Sequence, residues 1–261
     1  MTSTWKQIIW PIVFLLVVLT VWESAVRVFK INPILMPGPI EIATYGWANL
    51  AKLALAFWIT GKAAITGLAL STVLGIVIGA IFSQSKIIRI SCYPYAVFLQ
   101  TVPIVAMAPL IITWFDYGFR SVVIVATVIS IFPIITNTTI GLLQVEQDLV
   151  DLMRLYRASR WQILTKLRFP SAVTSIMTGI KTSSGLAVVG AIVGEYFAGF
   201  QAGQYGLGYY IFTFHSQLKT ALLFASVLTS TALGLFLFVS LSLMERYLLS
   251  RWLTDSETIA D

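Results

Sequence analysis

The sequence is poor in the side chains that do chemistry. Among 261 residues there is one cysteine, Cys92, and one histidine, His215. A single thiol excludes an internal disulfide and a multi-cysteine metal site, and a single imidazole excludes a histidine cluster. Charge is also scarce: Asp, Glu, Lys and Arg make up 11% of the chain, against roughly 25% in soluble domains. There is no Gly-x-x-x-x-Gly-Lys-Ser/Thr loop to cradle a nucleotide; Gly61-Lys62 lacks the upstream glycine and the following hydroxyl. No Gly-x-Ser-x-Gly marks a serine hydrolase. The Gly203-Gln204-Tyr205-Gly206-Leu207-Gly208 run follows no strand and has the wrong glycine spacing for a dinucleotide fingerprint, so it reads as a turn outside the membrane. From these absences the chain is expected to be non-catalytic, with no cofactor of its own.

Lipid-soluble side chains are what it has. The hydrophobic share is 58% and the mean hydropathy +0.88. At about 20 residues per membrane-spanning helix, the length allows six spans with short loops in one domain, residues 1–261. The apolar runs place them near residues 8–28, 63–82, 95–115, 121–143, 172–198 and 222–244, followed by a polar tail from Glu245. The expected fold is an all-α membrane protein. Only Lys6 precedes the first run, and no small-x-small cleavage signal follows it, so that run is expected to be an uncleaved span. The net charge of +6 is spread over helix ends without a basic, aromatic-interleaved patch, which points to membrane topology and away from nucleic acid. With the N-terminus inside, Lys6, Lys86, Arg89, Arg154, Arg157, Arg160, Lys166, Arg168, Lys181, Arg246 and Arg251 all fall on the cytoplasmic side, most of the 17 basic residues. The C-terminus is then cytoplasmic too.

Several local patterns refine the spans. Glu23 and Arg27 stand four apart and can pair on one helical face. Pro33, Pro37 and Pro39 stop the helix, and Ile40 to about Trp58 reads as an amphipathic helix at the outer surface. Gly67, Ser71, Gly75 and Gly79 form a small-residue stripe that lets another helix, of this chain or a second one, approach closely. Pro103 and Pro109 should bend the third span, and the fourth carries Pro133. Gln100, Asn137, Glu195 and Tyr196 are polar groups inside or at the end of spans, and such groups face protein or a water-filled path. For Glu195 a hydroxyl or amide partner on another helix outweighs a place in the path.

The most distinctive stretch is Leu149–Pro170, which carries Arg154, Arg157, Arg160, Lys166 and Arg168 between two apolar runs. Leu149, Leu152 or Met153, and Tyr156 recur at helical spacing, while Asp148, Asp151, Arg154 and Arg157 stay polar. Ser159 and Gln162 have capping-box spacing, so a second helix should start at Arg160. It carries Trp161, Leu164 and Leu167 or Arg168 on one side and is expected to stop before Pro170, which then opens the next helix.

This stretch resembles the cytoplasmic coupling loop of ABC-importer permeases, a helix-turn-helix running from an acidic residue and two small ones, through a glycine, to a closing apolar pair and proline. Aligned on Pro170, the acidic position is Asp151, the small positions are Leu152 and Met153, the glycine position is Arg157, and the apolar pair is Leu167 and Phe169. The two small residues and the glycine are thus not kept; either Arg157 takes a left-handed conformation or the turn moves to Ala158 and Ser159. Ser159-Arg160-Trp161-Gln162, Trp22-Glu23 with the following Leu-x-Pro-x-Pro, and Ala191-Ile192-Val193-Gly194-Glu195 are similar to the branch that imports nitrate, sulfonates, taurine, bicarbonate and thiamine precursors.

The resemblance implies a type I importer fold in the bacterial inner membrane, with two permease copies, a homodimer or a heterodimer with a related permease, enclosing the solute path. It implies ATP-binding-cassette ATPase subunits docked on Asp151, Arg154, Tyr156, Arg157, Ser159, Arg160, Trp161, Leu167 and Pro170. An external substrate-binding protein would deliver the cargo. An ATP-independent transporter or channel is the alternative, disfavoured by the scarcity of charges within the spans.

Overall fold

The computed structural model describes residues 3–198 and 205–257, and among them there are helices and no strands. In order these are α1 (Ser3–Val28), α2 (Pro39–Ala48), α3 (Leu50–Gln84), α4 (Lys86–Thr101), α5 (Ile104–Phe115), α6 (Phe119–Leu143), α7 (Gln147–Leu155), α8 (Arg160–Ile163), α9 (Phe169–Ala198), α10 (Leu207–Ser216) and α11 (Thr220–Glu257). A π turn, Leu164–Arg168, joins α8 to α9. Five helical segments are long and apolar enough to cross a membrane: Ile9–Val28, Leu50–Gln84, Phe119–Leu143, Arg160–Ala198 and Thr220–Tyr247.

The third position of the six-span scheme is filled by two helices in series. Pro103 pushes Val102 into extended geometry (φ −67°, ψ 126°), which ends α4 and starts α5 afresh. At 12 residues, α5 alone reaches about 18 Å, well under a bilayer's hydrocarbon thickness. The outer amphipathic helix is shorter than its sequence pattern predicts. It ends at Ala48, and α3 begins at Leu50, because nothing after Asn49 breaks the helix until Ser85.

The core is three helices in close contact. A Cβ at Gly67 would lie 2.6 Å from that of Ala126, one at Gly75 2.8 Å from Ile134, and one at Gly79 2.7 Å from Thr138. The small-residue stripe of α3 is therefore consumed by α6 of the same chain, with Ser130 Oγ donating to Ser71 Oγ at 2.9 Å in its middle. The other side of α6 meets α9, where a Cβ at Gly190 would lie 2.6 Å from the Ala126 Cα. Ser183 Oγ adds a hydrogen bond to the Ser130 carbonyl at 2.6 Å. Without water in the bilayer to reward burial of apolar area, such backbone proximity and buried hydroxyl bonds are what hold helices together.

Around this core, α11 packs on α9 and α2, and α1 stands apart with almost every residue from Ile9 to Val21 exposed. The expected Glu23–Arg27 pair is present at 2.6 Å. Glu23 does a second job: its other oxygen accepts the Ile40 N–H at 3.2 Å and so caps α2, across a Gly38 that leaves room for the carboxylate. Glu245, where the sequence predicts the start of a polar tail, lies within α11, which continues to Glu257, and it pairs with Lys181 of α9 at 2.5 Å.

Candidate functional site

The charged hairpin between α6 and α9 takes its shape from local chemistry. The chain reverses at Arg157, which adopts φ +57°. Ala158 N–H donates to the Met153 carbonyl and Arg157 N–H to that of Arg154, the paired bonds of a Schellman motif with arginine where glycine is usual. Arg157 therefore bears the strain, and the turn has not moved. The capping box forms in both directions, with Gln162 N–H on Ser159 Oγ at 3.2 Å and Ser159 N–H on Gln162 Oε1 at 2.7 Å.

The helix that starts there does not stop before Pro170. It passes through the π turn, in which Phe169 N–H reaches back five residues to Leu164, and runs on as α9. The wider turn accommodates a proline that has no N–H to offer and whose ring crowds the carbonyl four residues earlier. Leu167 and Pro170 are consequently half-buried within a continuous helix.

The hairpin's inward face is set by Val150, Ile163 and Leu164, which are buried. Leu149, Leu152 and Tyr156, the stripe that sequence periodicity singles out, point outward. Leu155, Tyr156 and Trp161 are 82%, 80% and 72% exposed. Asp151, Arg154, Arg157 and Arg160 are exposed with them, and Arg154 donates to Asp151 at 2.9 Å. Ser159 is occupied by its cap. Sequence spacing alone misses Leu155, which falls between the apolar repeats.

At the other end of α9, Glu195 is 5% exposed and hydrogen-bonded through one carboxylate oxygen. Its Oε2 accepts from Thr60 Oγ1 at 2.8 Å and from Gly208 N–H at 3.0 Å, while Thr60 Oγ1 accepts from Leu207 N–H at 2.8 Å. The carboxylate of one helix and the hydroxyl of another thus satisfy the first two amides of α10, where the positive end of the helix dipole lies. Gly206-Leu207-Gly208 is the start of α10 and not an outer turn; a Cβ at Gly206 would collide with the Glu195 carboxylate, and one at Gly208 with the Ile192 carbonyl. Gly203 and Gln204 lie outside the described residues.

The remaining polar candidates separate. Tyr196 packs edge-on against Phe197 and Phe212. Tyr205, Tyr209, Tyr210 and Phe214 form an adjoining aromatic cluster, and burial beside Tyr209 and Tyr205 holds the Tyr210 phenol above its usual range and hence neutral. Asn137 donates to the Pro133 carbonyl at 2.8 Å, so its amide is used within α6. Gln100 is exposed and lines a cavity of about 270 Å³ at the break between α4 and α5, walled by Ile104, Ile129, Phe132 and Leu186.

Comparison with known proteins fits this architecture. Residues 71–253 match the family model described as binding-protein-dependent transport system inner membrane component. The chain is 31% identical to a formylaminopyrimidine transport permease protein of Halalkalibacterium halodurans, over 93% of this chain and 96% of the relative. It is 32% identical to a riboflavin transport system permease protein of Chloroflexus aurantiacus, over 93% and 91%. A putative aliphatic sulfonates transport permease protein of Bacillus subtilis is 26% identical over 92% and 86%.

Proposed function

Because the chain belongs to the family of binding-protein-dependent transport system inner membrane components, it is a multi-pass permease subunit of an ABC importer for a small solute, and we propose that its α7–α8 hairpin is the element that a separate ATPase grips. The observation that carries this is the exposure of Leu155, Tyr156 and Trp161 on a charged hairpin between the membrane-crossing helices α6 and α9. Large apolar and aromatic residues ringed by charge are the composition of a protein interface, not of a solvated loop. Asp151, Arg154, Arg157 and Arg160 form the rim.

The unit is the whole chain, 1–261, with 149–170 as its coupling loop and both termini in the cytoplasm. Two copies enclose the path, an external binding protein supplies the solute, and ATP is hydrolysed on the partner subunits. The segment Arg160–Ala198 runs without interruption from the hairpin past the Glu195–Thr60 contact, which lies about 54 Å from Arg160 at 1.5 Å per residue. Movement of the hairpin by the ATPase therefore reaches the outer end through one helix, with the π turn as the place where it gives. Alternating access is the shift of a two-state arrangement by differential partner binding.

Gln100, at the unwound junction of α4 and α5, is the proposed solute contact, since backbone freed from helical pairing within a span is tolerated where it borders a cavity. The cargo class is a planar heteroaromatic compound. Two relatives above 30% identity are named for a pyrimidine and for riboflavin, and the apolar walls around one amide suit a planar ring better than a bare anion. Glu195, held by Thr60 and the α10 amides, is a latch at the outer end and not a solute ligand.

The experiment is a pull-down of the cognate ATPase with Tyr156→Ala/Trp161→Ala. The variant should insert in the membrane and lose the ATPase. Unchanged recovery of the ATPase would remove the hairpin from the interface.

A further inference from the structure

Behind the exposed face of the hairpin, a cavity of about 400 Å³ opens against the end of α3. Ser83, Gln84, Arg154, Arg160 and Arg168 line it, and no carboxylate does. Arg154 has one acidic neighbour, Asp151, and that pair is more than half exposed, where screening leaves little attraction. Arg160 and Arg168 have no ion pair among the described residues. Arg168 makes one long hydrogen bond, 3.4 Å to the Ser83 carbonyl, and its Nε is shut off from solvent with no acceptor. Buried donors are nearly always paired, because desolvation is otherwise uncompensated. Three like charges around one void add repulsion. An anion in the cavity removes both costs.

The position narrows the choice of anion. Ser83 and Gln84 are where the apolar run of α3 ends, just ahead of Lys86 and Arg89, and Arg168 immediately precedes the apolar part of α9. This is the level at which the helices leave hydrocarbon and meet headgroup phosphates. Val150 and Ile163, 2% and 7% exposed, form the cavity's apolar wall, whereas Leu155, Tyr156 and Trp161 lie on the exposed side. The cavity therefore lies behind the apolar docking residues, with Arg154 and Arg160 shared between its wall and the docking rim. Guanidinium forks match phosphate oxygens in paired hydrogen bonds. The volume falls in the usual range of small-molecule sites, about 300–1,000 Å³, and so admits a headgroup as well as a free ion.

We infer that the cavity between α3 and the hairpin is a binding site for a phosphate group, carried by an anionic phospholipid or present as free phosphate. The inference rests on the cytoplasmic orientation proposed above but not on the docking of the ATPase. Occupancy would tie the hairpin's base to the end of α3 at the membrane surface, and so set the stiffness of the element through which the ATPase acts.

The test uses the full chain purified with its ATPase and stripped of lipid. Phosphatidylglycerol, phosphatidylcholine and inorganic phosphate are titrated separately, with native mass spectrometry reading lipid and calorimetry reading phosphate. Arg154→Gln/Arg160→Gln is the main variant, because both residues are exposed; Arg168→Gln, outside the docking rim, is the second and separates the site from docking. ATPase recovery is measured on the same samples, so a failed dock and a failed site are told apart. Selective retention of phosphatidylglycerol, weakened about tenfold or more in the double variant, supports the site with lipid as the source. Saturable binding of inorganic phosphate with the same arginine dependence, without lipid selectivity, supports it with free phosphate as the source. Equal retention of both lipids and no phosphate binding overturns it. So does an arginine dependence confined to ATPase recovery, which would assign these side chains to the interface.

Discussion

Arg157 occupies a backbone conformation that a side chain makes costly. Replacing it with glycine should relieve about 1 kcal/mol of strain at φ +57°. Amide exchange across 147–168 should slow in Arg157→Gly; faster exchange would mean that the guanidinium holds the turn by contacts worth more than the strain. Glu195 can be tested as a latch in a similar way. Glu195→Ala leaves the Thr60 hydroxyl and the Gly208 amide buried without an acceptor, at about 1–3 kcal/mol per group, whereas Glu195→Gln keeps an acceptor oxygen. Alanine should lower thermal stability and uptake together, and glutamine should restore most of both. Equal loss of uptake in the two variants with stability unchanged would put the carboxylate in the solute path instead. The difference between these residues also shows what a sequence can reveal. Ser159 and Gln162 are legible as a pair because they are three positions apart, and so are Glu23 and Arg27 at four. Thr60 is not legible as the partner of Glu195 because 135 positions separate them and only the packing of α3 on α9 brings them together.

Helices show the same division. The small-residue stripe of α3 is plain in the sequence, but its neighbour is not; the structure supplies α6, whose Ala126, Ser130, Ile134 and Thr138 repeat at the same four-residue step. Glycines of α9 then differ in consequence. A Cβ at Gly190 meets the backbone of Ala126, while one at Gly185 meets nothing within 4 Å. Gly190→Ala should destabilise the permease by about 1–3 kcal/mol through overpacking, and Gly185→Ala should be neutral. Thermal unfolding in detergent reads both, and a neutral Gly190→Ala would mean that α6 and α9 are looser than described. Pro103, expected only to bend a single span, breaks the helix outright, and Pro170, expected to end one, is carried through by a π turn. Sequence rules name the conflict at a proline; whether the chain breaks or widens depends on packing, and α9 is held there by the buried Leu164 and Ala172.

Across the whole molecule, two short helices at one end and a charged hairpin at the other are joined by the α3, α6 and α9 core. Both short helices, α2 and α10, begin on a carboxylate delivered by a neighbouring span, Glu23 and Glu195 respectively. The hairpin runs into α9 through the π turn, so the proposed docking face and the Glu195–Thr60 contact lie at the two ends of one helical segment. Five of the six expected spans are legible from composition, because hydropathy is set by the bilayer, whereas the third is two short helices in series. The cavity at Gln100 is not legible, since it exists only where α4 and α5 part against α6. The account's central claim is that this chain moves solute only when an ATPase drives its hairpin. The direct measurement is uptake of a radiolabelled pyrimidine by vesicles containing the chain alone, the chain with its ATPase and binding protein, and the same complex with Tyr156→Ala/Trp161→Ala. ATP-dependent uptake by the complete complex alone is the predicted result; uptake by the chain alone, or ATP-driven uptake that survives the double substitution, would contradict it.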